Sequence, residues 1–280
     1  MAGSAGLIRT RFAPSPTGLL HLGHAYAALT AARMADPGQF LLRIEDIDHE
    51  RCRPEFEAAI FEDLHWLGLD WPQAVMRQSE RMTDYRAALD RLAGMGLLYP
   101  CRCRRGDIRA ALRAPQEGDP RHGPDGLVYP GTCRGRPMDD MGPDDVLRLD
   151  AARALALVGP PAFREHGQLR RITEEVFYRT IGDVILARRG MGTSYHLSAA
   201  VDDAAQGITL VTRGEDLLDA TWIHVLLQRL LDLPTPDYWH HRLIRDDAGQ
   251  RLAKRNNACS LRTLREEGTT PAGIRQLVGL

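Results

Sequence analysis

The sequence predicts an α/β fold, in which short apolar strands alternate with loops and helices. Residues 7–13 alternate in polarity and stop at a proline and glycine cluster, which is typical of a strand that runs into a loop. Residues 21–35 are strong helix formers, and residues 40–44 form a short apolar run. Glu45 and Asp46 follow this second strand, at the strand end where open α/β sheets bind ligands.

Further helices and strands are predicted in the later part of the chain. The apolar spacing predicts helices and strands, in chain order, as follows: helices 54–67 and 80–93, a strand at 209–213, a helix at 217–231, and a hairpin with arms 242–245 and 250–252. Residues 99–143 are instead rich in glycine, proline and arginine, which predicts an inserted module. We therefore divide the chain into a main domain (1–98 and 144–240), this module (99–143) and a C-terminal part with short helices (241–280).

Composition excludes several classes of protein. With 280 residues, 44% of them hydrophobic and 26% charged, the chain has the composition of an ordinary globular protein. The 36 Lys plus Arg nearly balance the 37 Asp plus Glu, so any nucleic-acid surface must be a local patch. No apolar run is long enough to cross a bilayer, so we expect a cytoplasmic protein without membrane contact. The five cysteines are odd in number, which argues against a disulfide framework.

Two histidines and a glycine stand where the first strand meets the first helix. Free backbone N–H groups and the helix dipole attract phosphate at a helix N-terminus, and His21 and His24 can donate hydrogen bonds from the same first turn. Gly23 leaves room for the base or ribose of ATP. Taken alone, a His-x-x-His pair fits two ordinary histidines better; the preceding proline-rich loop and the single lysine of the chain, Lys254, favour nucleotide chemistry.

The segment Pro14 to His24 resembles the HIGH motif of class I aminoacyl-tRNA synthetases, and Arg251-Leu252-Ala253-Lys254-Arg255 resembles their KMSKS loop. The resemblance implies a Rossmann-like catalytic domain. It assigns catalysis to His21, His24 and Lys254. It assigns the binding of ATP, a substrate accompanied by Mg²⁺, to His21, Gly23, His24, Arg251 and Lys254. Ala253 departs from the usual serine and Arg251 from the usual first lysine, which lowers the expected rate.

Three more segments resemble the glutamyl branch of this class: 11–18, 43–48 and 195–218. Glutamate has two carboxylates and one ammonium, so a selective site needs cationic clamps and one anion. By resemblance, Glu45 receives the α-amino group, Arg11 the side-chain carboxylate, and Tyr195 with Arg213 completes the clamp. The predicted L-glutamate site comprises Arg11, Phe12, Ala13, Pro14, Ser15, Glu45, Tyr195 and Arg213.

The inserted module carries a candidate metal site. Cys101, Cys103, Tyr129 and Cys133 offer three thiolates and a phenol that can surround one ion. The spacing alone equally allows unrelated buried cysteines, and the family resemblance favours one structural Zn²⁺. We treat Cys52, Cys259, His240 and His241 as ordinary residues, and satisfied surface groups are an equal alternative for the two histidines.

The short chain guides the choice of acceptor. Only 26 residues follow Lys254, whereas a glutamyl-tRNA synthetase that discriminates tRNA continues into an anticodon-reading domain. The architecture therefore resembles the glutamyl-Q tRNA(Asp) synthetase family, which activates L-glutamate without tRNA and esterifies it to queuosine in the anticodon arm of tRNA(Asp). Two alternatives stay open: a truncated synthetase that charges a tRNA 3′ end, and a non-catalytic RNA-binding relative. We expect a monomer, with the basic residues near the module, such as Arg102, Arg104 and Arg105, as the RNA patch.

Overall fold

The computed structural model describes residues 6–72, 74–112, 122–245 and 259–280. Its α-helices are α1 (Leu22–Met34), α2 (Pro54–Trp66), α3 (Met82–Gly94), α4 (Arg105–Leu112), α5 (Ala151–Val158), α6 (Glu174–Thr180), α7 (Tyr195–Ala205), α8 (Leu218–Leu230), α9 (Leu261–Glu266) and α10 (Pro271–Val278). Its strands are β1 (Thr10–Phe12), β2 (Phe40–Ile44), β3 (Met76–Arg77), β4 (Leu98–Cys101), β5 (His122–Gly123), β6 (Gly126–Leu127), β7 (Val146–Leu149), β8 (Ala162–Glu165), β9 (Gln168–Arg171), β10 (Ile185–Ala187), β11 (Leu210–Gly214) and β12 (Asp237–His241). Within these described ranges, no helix is long and apolar enough to cross a membrane.

The chain forms two compact units. The first comprises Met1–Glu80, Gly207–Asp216 and Pro236–Leu280, and the second comprises Arg81–Gln206 and Leu217–Thr235. The second unit therefore contains the described residues of the predicted module 99–143. The domain boundaries drawn from composition stay a prediction.

Parallel strands organise the first unit. β1 pairs with β2 from Thr10↔Phe40 onward, and β2 pairs with β3, both in parallel. β11 and β12 form another parallel pair. The carbonyl of Arg9, just before β1, accepts hydrogen bonds from the backbone N–H groups of Thr209 and Leu210, so β11 lies beside β1. Because parallel strands end at the same edge, the residues that follow β1, β2 and β11 are brought together there.

The first helix packs closely on these strands because its inner face carries small residues. Ala25, Ala28 and Ala31 are 0–1% exposed, and the Thr10 hydroxyl donates to the Ala31 carbonyl oxygen at 2.8 Å. The helix ends before Gly38, whose φ of 72° reverses the chain without side-chain strain. Leu29 and residues from α2, α9 and α10 complete the same apolar core.

Most predicted elements of the first half are confirmed to within a few residues. The strand at 40–44 has the predicted bounds, and the helices predicted at 21–35 and 54–67 begin and end within one residue of α1 and α2. The first arm of the predicted hairpin, 242–245, is not a continuous strand: 242–244 carry no strand pairing, Arg245 forms a single β-bridge, and the strand of this region is β12. The second arm, 250–252, lies outside the described residues. The apolar pair Leu243 and Ile244 misled the prediction because Ile244 is buried in the core without belonging to a sheet.

The second unit contains antiparallel strands and helices. β7 pairs with β4 and β10, and β8 pairs with β9. Asp202 on α7 is fully buried and joins α3 to α7, since it accepts from Arg81 Nε at 2.8 Å and from the Tyr85 hydroxyl at 2.8 Å. The small hairpin of β5 and β6 lies in the predicted module.

A buried carboxylate in α2 destabilises the first unit at neutral pH. Asp63 is 0% exposed, and neither of its side-chain oxygens has a hydrogen-bond partner among the described residues. Burial raises its pKa from 3.8 to about 6, although Arg265 lies 3.7 Å away. The folded pKa exceeds the unfolded one, so the stabilisation from protonating Asp63 is complete below pH 3.8 and is lost as the pH rises through about 6.

We therefore expect Asp63→Asn to stabilise the protein at pH 7.5 by roughly 1–2 kcal/mol, because the amide removes the ionised form. The gain should shrink as the pH falls below 6. Urea unfolding at pH 7.5 and pH 5 measures both values. Glu62→Gln, at the half-exposed neighbouring carboxylate, is the matched control and should show no such pH-dependent gain. A less stable Asp63→Asn protein at pH 7.5 contradicts this account.

Candidate functional site

Two histidines cap the N-terminus of α1. His21 is the N-cap residue, with φ of −130° and ψ of 176°, and its Nδ1 accepts from the backbone N–H of Gly23 at 3.1 Å. In return, Nδ1 of His24 accepts from the backbone N–H of His21 at 3.2 Å. The two ring centroids lie 3.9 Å apart. Each imidazole therefore satisfies a backbone donor that the helix itself leaves without a partner.

This capping fixes the tautomer of both rings. Since Nδ1 of His21 and of His24 accepts a hydrogen bond, the proton of each neutral ring sits on Nε2. Both rings then hold an N–H donor on the side away from the cap. Two such donors at a helix N-terminus form a site suited to a phosphate group.

The structure gives a steric reason for a glycine at position 23 that the sequence did not reveal. A Cβ atom at this position would lie 3.0 Å from Cε1 and 3.1 Å from Nδ1 of His21. Contacts this short would force the His21 ring to move, so a glycine lets the ring lie against the first turn. This steric role concerns the histidine, whereas the sequence prediction assigned Gly23 to the base or ribose.

Glu45, the carboxylate predicted to bind the α-amino group of glutamate, pairs with a buried arginine. Glu45 follows β2, and its Oε1 lies 3.2 Å from Nη2 of Arg43, whose side chain is fully buried. The backbone N–H of Glu45 donates to the carbonyl of Pro14 at 3.0 Å, so the loops after β1 and β2 are joined. Sequence reasoning missed Arg43. A charged residue inside the apolar run 40–44, two positions from Glu45 and thus on the same strand face, was the available signal.

Two predicted clamp arginines lie on neighbouring strands of the first unit. Arg11 in β1 is 5% exposed and donates from Nη1 to the carbonyl of Thr212 at 3.3 Å. Arg213 in β11 is also 5% exposed, and its Nε donates to Nε2 of His240 at 3.2 Å. The structure therefore brings Arg11 close to the residue that precedes Arg213.

The alternative in which His240 and His241 are surface groups is wrong. Both residues belong to β12 and are only 9% and 7% exposed, because this strand packs beside β11. His240 accepts from Arg213, so it orients a predicted clamp residue. His241 packs edge-on against Tyr26, and burial lowers its pKa below the usual 6.5.

The remaining residues of the predicted glutamate set are divided between the two units. Phe12 is buried at the end of β1, and Pro14 is buried in the loop that follows, with Ala13 and Ser15 partly exposed beside it. Tyr195 begins α7 in the second unit, where Ser194 caps the helix by accepting from Leu197 N–H.

A chain of three polar side chains lies next to Tyr195 and was not predicted. Nδ1 of His196 lies 3.2 Å from Nε2 of His224, and Nε2 of His196 lies 3.2 Å from Oδ1 of Asp125. The Tyr195 ring packs edge-on against His224 with centroids 5.3 Å apart. Burial opposes ionisation of Asp125, but His196, Arg188 and Arg148 outweigh it and lower the pKa of Asp125. The turn between β5 and β6 is thereby tied to α7.

Three cysteines and a tyrosine converge in the second unit. The sulfur atoms of Cys101, Cys103 and Cys133 all lie within 4.8 Å of one another, and none forms a disulfide. The Tyr129 hydroxyl lies 3.3 Å from the sulfur of Cys101 and 3.4 Å from that of Cys103. Antiparallel pairing of β4 with β7 places Cys101 in the sheet, next to Val146.

These separations fit a tetrahedral metal ion. Zinc bonds of about 2.3 Å to sulfur and about 2.0 Å to oxygen would hold sulfurs about 3.8 Å apart and a sulfur–oxygen pair about 3.5 Å apart. The Cys103–Cys133 separation of 3.5 Å and the two Tyr129 distances are close to these values. The four residues can therefore hold a metal ion.

The thiols of this cluster differ in acidity. Burial opposes ionisation of Cys133, but hydrogen bonds from the Tyr129 hydroxyl and the Arg102 backbone lower its pKa to about 7. Burial raises the pKa of Cys103 to about 11. One thiolate is therefore accessible near neutral pH, and a cation would favour ionisation of the others.

Lys254 and Arg251, the predicted cations of the second loop, lie outside the described residues. The described chain resumes at Cys259, and Ser260 forms an antiparallel β-bridge with His21. The backbone N–H of Leu261 donates to the Leu20 carbonyl at 2.8 Å. The residues that follow the lysine segment are thus anchored at the start of α1.

Comparison with known proteins gives the family. The family described as tRNA synthetases class I (E and Q), catalytic domain, matches residues 7–129 and 166–280. The chain therefore belongs to the class I tRNA synthetases of the E and Q type. The predicted α/β catalytic fold and the predicted ligase class are confirmed.

Similar curated proteins indicate a narrower group within this family. The glutamyl-Q tRNA(Asp) synthetase of Rhodobacter capsulatus is 58% identical over 97% of this chain and 99% of the relative. The protein of the same name from Nitratidesulfovibrio vulgaris is 39% identical over 96% of this chain and 84% of the relative. The sequence resemblance to this group is confirmed.

Solved structures show the same fold. A glutamate tRNA ligase from Elizabethkingia meningosepticum, in complex with its amino acid, superposes with a TM-score of 0.73 at 25% identity. The glutamate-tRNA synthetase of Elizabethkingia anophelis gives a TM-score of 0.75, also at 25% identity. Each comparison covers 97% of this chain, which spans about 60% of the length of these two proteins.

We expect Cys133→Ser to release bound metal, because it removes a thiol whose pKa is lowered to about 7. Elemental analysis of the purified protein should show about one metal ion per chain in the unmodified protein and a several-fold loss in the variant. Cys52→Ser, at a half-buried cysteine outside the cluster, should keep the full amount. Full metal content in Cys133→Ser would show that this thiol is not a ligand.

Proposed function

We propose that the chain activates L-glutamate with ATP, without tRNA, and transfers it to the queuosine base at the wobble position of tRNA(Asp). The observation that carries the activation step is the pair of imidazoles that cap α1, whose Nδ1 atoms accept backbone hydrogen bonds, so that the neutral rings carry their protons on Nε2. Arg11, Glu45 and Arg213 lie on the strand ends and loops of the same unit.

In the activation step, a glutamate α-carboxylate oxygen attacks the α-phosphorus of ATP. A new O–P bond forms, and the bond to the β-phosphate oxygen breaks, which releases pyrophosphate and leaves glutamyl-adenylate. His21 and His24 hydrogen-bond the phosphates, and Lys254 with Arg251 balances the charge of the leaving group. Mg²⁺ accompanies ATP. The anchoring of Ser260 at His21 supports a common site for the lysine segment and the histidines.

The glutamate assignment follows from charge. Glu45 offers the carboxylate that an ammonium requires, and its ion pair with Arg43 keeps it oriented. Arg11 and Arg213 offer two guanidiniums for the carboxylates, with Arg213 oriented by His240. The family resemblance also assigns Tyr195 to glutamate, and this stays a prediction.

The metal ion we propose for the cysteine cluster is one structural Zn²⁺. Three thiolates and a phenolate leave no open coordination position, and their spacing matches zinc bond lengths. The ion would hold the module together, because Cys101 and Cys133 are buried in a small separate apolar cluster.

The names of the relatives support the proposed acceptor. Proteins named glutamyl-Q tRNA(Asp) synthetase match nearly the whole chain, including one at 58% identity. We therefore favour queuosine in the anticodon arm of tRNA(Asp) over a tRNA 3′ end. A non-catalytic RNA-binding role is disfavoured by the retained histidine pair and clamp residues.

We expect His24→Asn to lower the rate of glutamate-dependent ATP–pyrophosphate exchange by roughly 100- to 1000-fold. The asparagine side-chain oxygen can replace Nδ1 in the cap, whereas the Nε2–H donor is lost. His65→Asn, at a half-exposed histidine of α2, is the control and should keep the normal rate. Thermal unfolding should be similar for both variants. A normal exchange rate in His24→Asn contradicts the role of the donor.

The acceptor is tested with labelled glutamate and three RNAs: tRNA(Asp) with queuosine, tRNA(Asp) without it, and tRNA(Glu). We expect label only on the first, and nuclease mapping should place it in the anticodon arm. Periodate oxidation alone does not distinguish the sites, because queuosine and the 3′ end both carry a diol. Label at the 3′ terminus would overturn the proposed acceptor while leaving glutamate activation in place.

A further inference from the structure

The second unit encloses a cavity of about 370 Å³ that the activation chemistry does not use. Helix α4, the turn between β5 and β6, and strands β7 and β10 provide its walls. Four arginines line it together with apolar side chains, among them Val128 and Ile185. A volume of this size lies within the range of small-ligand pockets.

Arg148 is the most buried of the four arginines that line the cavity. It is 5% exposed, its Nη1 donates to the carbonyl of Asp183 at 2.8 Å, and its guanidinium lies 3.8 Å from the centre of the Tyr129 ring. These contacts hold the guanidinium in the wall, where its charge adds to the positive potential of the cavity.

Positive charge exceeds negative charge around the cavity. In the described part of the chain, the side chains of Arg105, Arg109 and Arg188 make no hydrogen bond and no ion pair. The two lining carboxylates are already engaged: Asp125 by His196 at 3.2 Å, and Asp183 by Arg134 at 2.8 Å. The cavity therefore favours an anionic ligand.

The lining of the cavity combines arginines with apolar side chains, which matches the phosphate and the base of a nucleotide. Guanidinium groups bind phosphate through two parallel hydrogen bonds, and their flat faces also stack on bases. Apolar side chains such as Val128 and Ile185 suit the faces of a base. Unpaired RNA nucleotides are recognised in this way, with the base turned out of the strand into a protein pocket.

We propose that this cavity binds one unpaired nucleotide of the RNA acceptor. The proposal rests on the proposed function, in which the acceptor is an RNA. An RNA fits better than a free nucleotide because the exposed Arg102 and Arg104 stand just before α4 and extend the positive surface beyond the cavity residues Arg105 and Arg109.

The test uses the full chain and fluorescently labelled tRNA(Asp) carrying queuosine. We expect Arg109→Ala/Arg188→Ala to weaken RNA binding at least ten-fold in fluorescence anisotropy. The slope of log K against log salt should become shallower by roughly 0.7 for each phosphate that the variant no longer neutralises. Arg170→Ala/Arg171→Ala removes the same charge from the exposed strand β9 and should change affinity less than two-fold. Equal weakening in both double variants would overturn a specific role for the cavity.

Crosslinking locates the nucleotide. With 4-thiouridine placed at each unpaired position of the anticodon loop, we expect one position to crosslink to peptides from 122–129 or 181–188, and this product to be absent in Arg109→Ala/Arg188→Ala. Crosslinks confined to other peptides would overturn the proposal. Binding of a nucleoside monophosphate at the cavity as tight as RNA binding would instead assign the site to a free nucleotide.

The two proposals fail in different ways. Glutamate-dependent pyrophosphate exchange should be unchanged in Arg109→Ala/Arg188→Ala, because neither arginine belongs to the proposed activation residues, most of which lie in the first unit, with Tyr195 in the second. If the unmodified protein neither binds nor glutamylates RNA, the acceptor proposal and the cavity proposal are both wrong. If it glutamylates tRNA(Asp) and the double variant binds that RNA with unchanged affinity, only the cavity proposal is wrong.

Discussion

The hydrogen bonds between His21, His24 and the backbone at the start of α1 are the constraint on which the candidate site depends. They satisfy two N–H groups that the helix leaves without partners, and they place the proton of each ring on Nε2. The same turn anchors Ser260, which follows the lysine segment. A single cap thus fixes the helix start, the donor atoms and the point to which the later chain returns. Gly23 is part of this arrangement because a side chain there would displace His21.

The parts of the site that depend on nearby residues could be predicted from the sequence. The strand ends and the start of α1 follow from local spacing. The cysteine cluster was expected from the family resemblance, because its spacing alone was ambiguous, and the structure brings Cys101, Cys103 and Cys133 together. Partners that pairing of distant strands creates could not be predicted. His240 meets Arg213 only because β12 lies beside β11, and the sequence of β12 alone suggested exposed histidines.

Tyr129 links the proposed metal site to the proposed nucleotide cavity. Its hydroxyl lies 3.3 Å from the sulfur of Cys101, whereas its ring stacks on the guanidinium of Arg148 in the cavity wall. A metal ion that fixes the hydroxyl would therefore also fix the surface on which Arg148 rests. A structural ion would thereby stabilise a module whose own apolar cluster is small. Under the two proposals, the module would bind RNA and the first unit would carry most of the activation residues.

The central claim is that this chain activates glutamate without RNA. The most direct measurement is ATP–pyrophosphate exchange with purified protein, freed of RNA, in the presence of glutamate, glutamine or aspartate. We expect exchange with glutamate and a rate at least 100-fold lower with glutamine, because the guanidiniums of Arg11 and Arg213 would face an amide in place of a carboxylate. Exchange that requires added tRNA, or that is equally fast with glutamine, would contradict the claim.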